Sequence, residues 1–174
     1  MKKIQFWKVV LLGVFLCGSM VGDVSAKTYR QYDHGLMFDL PDNWECTQES
    51  AGQMLAVFVD PAMRYEINTL TLVHQQLPER YSFREYVDHT VDSESKMLWM
   101  YQLQEKQFVD GANTPYYRLT FTWRLSWEQK LFAMQMLFFR HSEVYILTAT
   151  APADQTDSYR NVFQQIFRSL TLVD

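Results

Sequence analysis

Residues 130–140 read KLFAMQMLFFR, and apart from Gln135 every position from Leu131 to Phe139 is apolar. A strand with one wet face would alternate apolar with polar residues; this one does not, so it predicts a central strand covered on both sides. The rest of the chain must supply that cover.

The flanking segments read as partners for it. In YYRLTFTWRL, Tyr117, Leu119, Phe121, Trp123 and Leu125 alternate with Arg118, Thr120, Thr122 and Arg124, which predicts one buried face and one wetter face. In VYILTATAP the side chains shrink toward Ala149 and Ala151, and Pro152 ends the pairing. Tyr159, Val162, Phe163, Ile166, Phe167 and Leu170 then recur at i, i+3, i+4, i+7, i+8 and i+11, the stripe of an amphipathic helix laid back over the sheet. Asp154 and Thr156 are candidate N-caps, and the small alanines permit close approach. Thr148 and Thr150 are good strand formers whose hydroxyls need no catalytic role.

Upstream, the strand signals TYRQYD, GLMFDL, WECTQE, MLAVFVD and EINTLTLVHQ are separated by turn chemistry at His34-Gly35, Pro41-Asp42-Asn43, Ala51-Gly52 and Asp60-Pro61. The period then changes. Phe83, Val87, Val91 and Leu98 fall at helical spacing behind Ser82 and Glu85, an S-x-x-E capping box, so a helix is expected from about Phe83 to Leu98. A further strand, WMYQLQEKQFV, follows, with Gly111-Ala112-Asn113 as its turn.

The chain opens MKKIQFWKVVLLGVFLCGSMVGDVSA. Three lysines precede a short apolar run, and small residues lead to Val24-Ser25-Ala26, the pattern of a secretory leader cleaved between Ala26 and Lys27. A lipid anchor on Cys17 is the weaker alternative, because Phe15 and Leu16 stand where an anchor site prefers a small residue. Residues 1–26 are thus expected to be a signal peptide and residues 27–174 a single exported domain, periplasmic or secreted, without a transmembrane segment. The leader carries three lysines and one aspartate, which leaves 13 basic and 19 acidic residues and a net charge of −6. That field does not attract nucleic acid. Cys46 alone would remain, so no intramolecular disulfide can form; its place beside Trp44 in WECTQ predicts an inert, buried thiol.

No G-x-S-x-G, H-E-x-x-H, Gly-rich phosphate loop or C-x-x-C is present. His34, His74, His89 and His141 occupy four separate segments, without the spacing of a zinc site. His34 beside Asp33, Gly35 and Asp39 reads first as a turn and only weakly as metal capture. Asp88, His89, Asp92 and Glu94 cluster on the middle helix and read as its solvated face. No catalytic residue, metal ligand or cofactor is therefore expected. The turn near Ser126 lacks Gly, Asn, Asp and Pro, so a loose apolar tip is expected there. Trp123, Arg124 and Trp127 near it are candidate partner-binding residues, although both indoles could instead fold back onto the sheet.

The segments GLMFDLPDNW, VYILTATAP and YRNVFQQIFRSLTL resemble the PsbP-like superfamily of PsbP and DcrB-like bacterial envelope proteins. Gly35, Phe38, Pro41 and Trp44 match its opening pattern. The resemblance covers the mature chain and implies an α+β fold, a three-layer α/β/α sandwich of an antiparallel sheet with one central helix segment and a C-terminal helix. It also implies a non-catalytic binding or accessory protein that docks on an unidentified envelope partner. A small-ligand or metal carrier is the second reading, and an uncharacterised hydrolase the third.

Overall fold

A computed structural model describes residues 25–63, 67–110, 114–140 and 142–173. Its strands are β1 (Ala26–Gln31), β2 (Leu36–Pro41), β3 (Glu45–Ala51), β4 (Met54–Val59), β5 (Thr69–Gln76), β6 (Gln102–Val109), β7 (Tyr116–Arg124), β8 (Lys130–Arg140), β9 (Glu143–Pro152) and the short β10 (Thr171–Leu172). Its two α-helices are α1 (Phe83–Met97) and α2 (Thr156–Ser169). The expected strands and both expected helices form. Gly111-Ala112-Asn113 lies outside the described residues.

Strand β8 behaves as its composition requires: Leu131 through Phe138 are all buried. It lies between β7 and β9 in an antiparallel seven-stranded sheet of order β3-β4-β5-β9-β8-β7-β6. A separate three-stranded sheet, β1-β2-β10, holds the first hairpin and the C-terminal residues. The hairpin reverses through a 3-10 turn at Tyr32–His34 into Gly35, whose φ of +58° is left-handed. Glycine is required there twice over, since a Cβ would also stand 2.1 Å from the Val173 carbonyl oxygen.

Helix α2 covers one face of the large sheet. Phe163, Ile166, Phe167 and Leu170 are buried with Phe132, Met134, Ala149, Ala151 and Trp44 in one core. Burying each of these large side chains contributes roughly 1.5–3 kcal/mol, and the alanines of β9 leave room for the helix. Helix α1 covers the other face with a smaller core, in which Tyr86 and Val87 meet Leu119, Phe121, Ala133 and Leu137. Its start is fixed by the expected capping box: Glu85 N–H donates to the Ser82 hydroxyl, and the Glu85 carboxylate accepts from Ser82 N–H.

Three local expectations are corrected. Thr120 and Thr122 are buried rather than wet, because β7 lies inside the sheet and its second face points toward the α2 core. Neither Asp154 nor Thr156 caps α2; a 3-10 turn at Ala153–Gln155 leads into the helix, and the Thr156 hydroxyl donates to Ala153 carbonyl oxygen instead. Cys46 is exposed. Trp44 is buried, but it precedes β3, so the two-residue alternation does not carry from it into the strand, and β3 is an edge strand with a bulge between Cys46 and Gln48.

Candidate functional site

At one end of the central strands, β5 and β9 pair so that His74 stands directly opposite Tyr145. Alternation puts Glu143 on the same face as Tyr145, two residues away. The turn after β1 then lays His34 over both. The His34 and His74 rings are 4.5 Å apart, and one ligand atom from each of His34, His74 and Glu143 lies within 4.8 Å of the others. His34 Nδ1 is 3.8 Å from Glu143 Oε2, and His74 Nδ1 is 3.6 Å from Glu143 Oε1.

The Tyr145 hydroxyl orders this group. It donates to Glu143 Oε2 at 2.6 Å and lies 3.0 Å from His34 Nδ1. Because its single proton goes to the carboxylate, its oxygen accepts from His34 Nδ1–H, which leaves the other nitrogen of His34 with a lone pair. The same bond holds the Glu143 carboxyl below its ordinary range; burial opposes this, and the two imidazoles reinforce it. Burial, with the neighbouring Glu143, pushes the Tyr145 phenol up. Arg140 fixes the overlying turn by donating to the carbonyls of His34 and Gly35 at 3.2 Å, and to Val173. An open cleft of about 630 Å³, walled by Gln31, Tyr32, Met37 and Val173, leads to His34, Glu143 and Tyr145.

The opposite end of β8 has a different chemistry. Trp127 is 78% exposed and meets the half-exposed Trp99 edge to face at 4.6 Å. Met97, Met100 and Leu125 are exposed in the adjoining segments. The turn is not loose. Leu125 N–H donates to Gln129 carbonyl oxygen at 3.0 Å, Gln129 N–H donates to the Ser126 hydroxyl at 3.1 Å, and the Arg124 guanidinium donates to the Trp127 carbonyl. The tip expected to be loose for want of Gly, Asn, Asp or Pro is instead set by a serine side chain.

Of the candidate binding residues, Trp123 is half-buried against the α1 core, Arg124 braces the turn, and Trp127 is presented outward. Trp99 joins them although WMYQLQEKQFV reads as one strand; the positive φ of Met100, +53°, breaks the chain before β6 begins. His89 lies on the surface of α1 beside Ser93 and Tyr81. His141 lies outside the described residues. Asp88 and Asp92 pair with Lys106 and Lys96. Glu94 departs from the expected solvated face: its carboxylate accepts from Gln135 at 2.9 Å and from the Tyr101 hydroxyl at 3.4 Å, and burial raises its pKa.

The proposed cleavage boundary falls inside an ordered strand. Ala26 pairs with Pro41 at the start of β1, and Lys27 Nζ donates to Asp42 carbonyl oxygen. The N-terminal apolar run and Cys17, on which the expected leader and the lipid-anchor alternative rest, lie outside the described residues. Among the described residues no helix is long and apolar enough to cross a membrane.

Comparison with known proteins places this architecture. No curated protein sequence matches the chain significantly. Solved structures with this fold include the cyanobacterial PsbP, CyanoP, of Synechocystis sp., 19% identical over 90% of this chain and 96% of that one, with a TM-score of 0.64. LpqN of Mycobacterium tuberculosis, described as involved in cell envelope biogenesis, is 16% identical over 86% of this chain and 91% of its own, with a TM-score of 0.64. The Ran-binding protein Mog1p of Saccharomyces cerevisiae is 10% identical over 87% and 97%, with a TM-score of 0.63. At these identities the likeness is one of fold. The sequence model of the DcrB family is more specific: it matches residues 36–169, from the first residue of β2 to the last of α2. With that match and its PsbP-like fold, the chain belongs to the DcrB family.

Proposed function

We propose that this protein is an exported, non-catalytic accessory protein of the cell envelope that docks on a protein partner through the Trp99–Trp127 end of its sheet. The carrying observation is the pair of indoles at 4.6 Å, one of them 78% exposed, on a turn braced by its own hydrogen bonds. Rigid, amphipathic rings lose little conformational entropy on binding, and tryptophan is enriched among residues that dominate binding energy. Trp99, Met100, Leu125 and Trp127 together offer an apolar surface, so the partner is expected to bring an apolar patch to it.

The reading as an exported envelope protein rests on the leader pattern and on membership of the DcrB family. LpqN, with its part in envelope biogenesis, is a precedent for this fold in that setting, and Mog1p is one for partner binding. The test compares Trp127→Glu with Phe108→Glu, the latter a substitution at an exposed ring on the edge strand β6. Both proteins are expected to fold. In a native-size measurement on envelope extracts, only the Trp127 variant is expected to leave the larger complex and run as the isolated chain. Equal behaviour of the two variants would refute docking at this end.

A further inference from the structure

The pocket at the other end carries chemistry that docking does not use. We propose that His34, His74 and Glu143 bind one divalent transition-metal ion of the zinc class, with a coordination position left open to the cleft.

The donor set comes first. Two imidazoles and one carboxylate suit zinc, copper, nickel or cobalt, and suit calcium or magnesium poorly, since those ions take oxygen ligands. The spacing agrees with this. Ligands of a tetrahedral ion at about 2.1 Å stand about 3.4 Å apart, and His74 Nδ1 already lies 3.6 Å from Glu143 Oε1. His34 offers the nitrogen that its bond to Tyr145 leaves with a lone pair, and one ligand atom from each of the three residues lies within 4.8 Å of the others.

A second, independent observation is an orphaned atom. His74 Nδ1 is buried and makes no hydrogen bond, although it is aimed at the Glu143 carboxylate. A buried nitrogen without a partner is costly, and a cation between it and the carboxylate would satisfy both. The supporting shell is also in place. The Tyr145 hydroxyl orients the Glu143 carboxylate and one nitrogen of His34, which is how outer partners fix the ligands of a metal site. Arg140 holds the turn that carries His34. The cleft of about 630 Å³ gives the ion a way in and room for water or a small ligand at the remaining position.

Zinc chloride titrated by calorimetry into purified, metal-stripped protein tests this. One zinc per chain is expected, with affinity at least tenfold weaker in His74→Ala and in Glu143→Gln and unchanged in His89→Ala; magnesium is expected to give no heat of binding. Cobalt(II) provides a readout on the unaltered chain that no variant's folding can confuse: visible bands of a four- or five-coordinate ion, with paramagnetic shifts of the His34 and His74 ring protons. Zinc binding unchanged in His74→Ala, or cobalt spectra of the hexa-aqua ion alone, would overturn the assignment.

Discussion

The two ends of β8 are each braced by an arginine, and there the likeness stops. At the far end Arg140 donates to the carbonyls of His34, Gly35 and Val173, and so folds a turn and the C-terminal residues inward over a cluster of polar donors. At the near end Arg124 donates to the Trp127 carbonyl and holds a turn whose rings point outward. Eleven residues of strand, about 35 Å at 3.2–3.4 Å per residue, separate them. The same device thus serves two purposes: a turn folded back over the sheet makes a cavity suited to a small ligand, and a turn projecting from it makes a surface suited to a protein.

Both ends depend on the shared core between them, so the largest effect is expected from breaking it. Phe163 is fully buried between Trp44, Phe132 and Tyr159. Phe163→Ala should cost about 3–5 kcal/mol, a large share of the 5–15 kcal/mol that typically holds a domain together. Chemical denaturation measures it. A wild-type midpoint would mean that α2 is not the cover described here.

A smaller change separates the ends. Gly35→Ala places a Cβ 2.1 Å from the Val173 carbonyl oxygen at a positive φ, a backbone strain of about 1–3 kcal/mol that falls on the His34 turn and the C-terminal residues packed against it. Thermal unfolding is expected to register the loss, while tryptophan emission of the folded state stays unchanged. An emission shift would show that the two ends are coupled.

Beneath the tryptophan end, Glu94 gives a test with a definite sign. Burial raises its pKa above the ordinary value of 4.5, against the opposing bonds from Gln135 and Tyr101. The folded protein therefore keeps a proton that the unfolded chain releases. Its contribution to stability is greatest below pH 4.5 and falls as pH rises through the raised value. Glu94→Gln, which retains an acceptor for Gln135, is expected to remove that decline and to raise stability at neutral pH. Urea midpoints across the acidic range read it directly, and parallel curves for the two proteins would contradict it. The smallest effect on stability is expected at Trp127 itself: Trp127→Ala should change the unfolding free energy by less than about 0.5 kcal/mol, as substitutions at exposed positions usually do.

These regions also differ in how far the sequence announces them. Strands, helices and the doubly covered β8 are legible because each writes its period into a run of six or more residues, as KLFAMQMLFFR and the α2 stripe do. Strand β10 has two residues and no period to show. Trp127 could be singled out because it sits at an evident strand reversal, whereas Trp99 is brought to it by tertiary contacts, the bond from Arg124 N–H to the Trp99 carbonyl and the meeting of the two rings. The polar cluster is hidden more deeply. His34, His74 and Glu143 lie on three segments, and only the pairing of β5 with β9 brings the last two together. A trace of it does exist: Leu70, Leu72 and His74 continue one strand face, and Leu147, Tyr145 and Glu143 continue another, each turning from apolar to polar at the same end. Without knowledge of the partner strand, neither row points at the other. Thr120 shows the converse failure, in which local alternation is sound but sheet position decides burial; at Cys46 the alternation itself does not hold, because Trp44 lies outside β3.

The proposed docking of a protein partner at the tryptophan end can be read in living cells. Site-specific photo-crosslinking does so, with the reactive side chain placed at position 127 in one protein and at position 32 in another, since Tyr32 is 79% exposed at the opposite end. The prediction is a discrete protein adduct from position 127, lost when Trp99 is also changed to Glu, and none from position 32. An adduct from position 32 with none from position 127 would contradict the account.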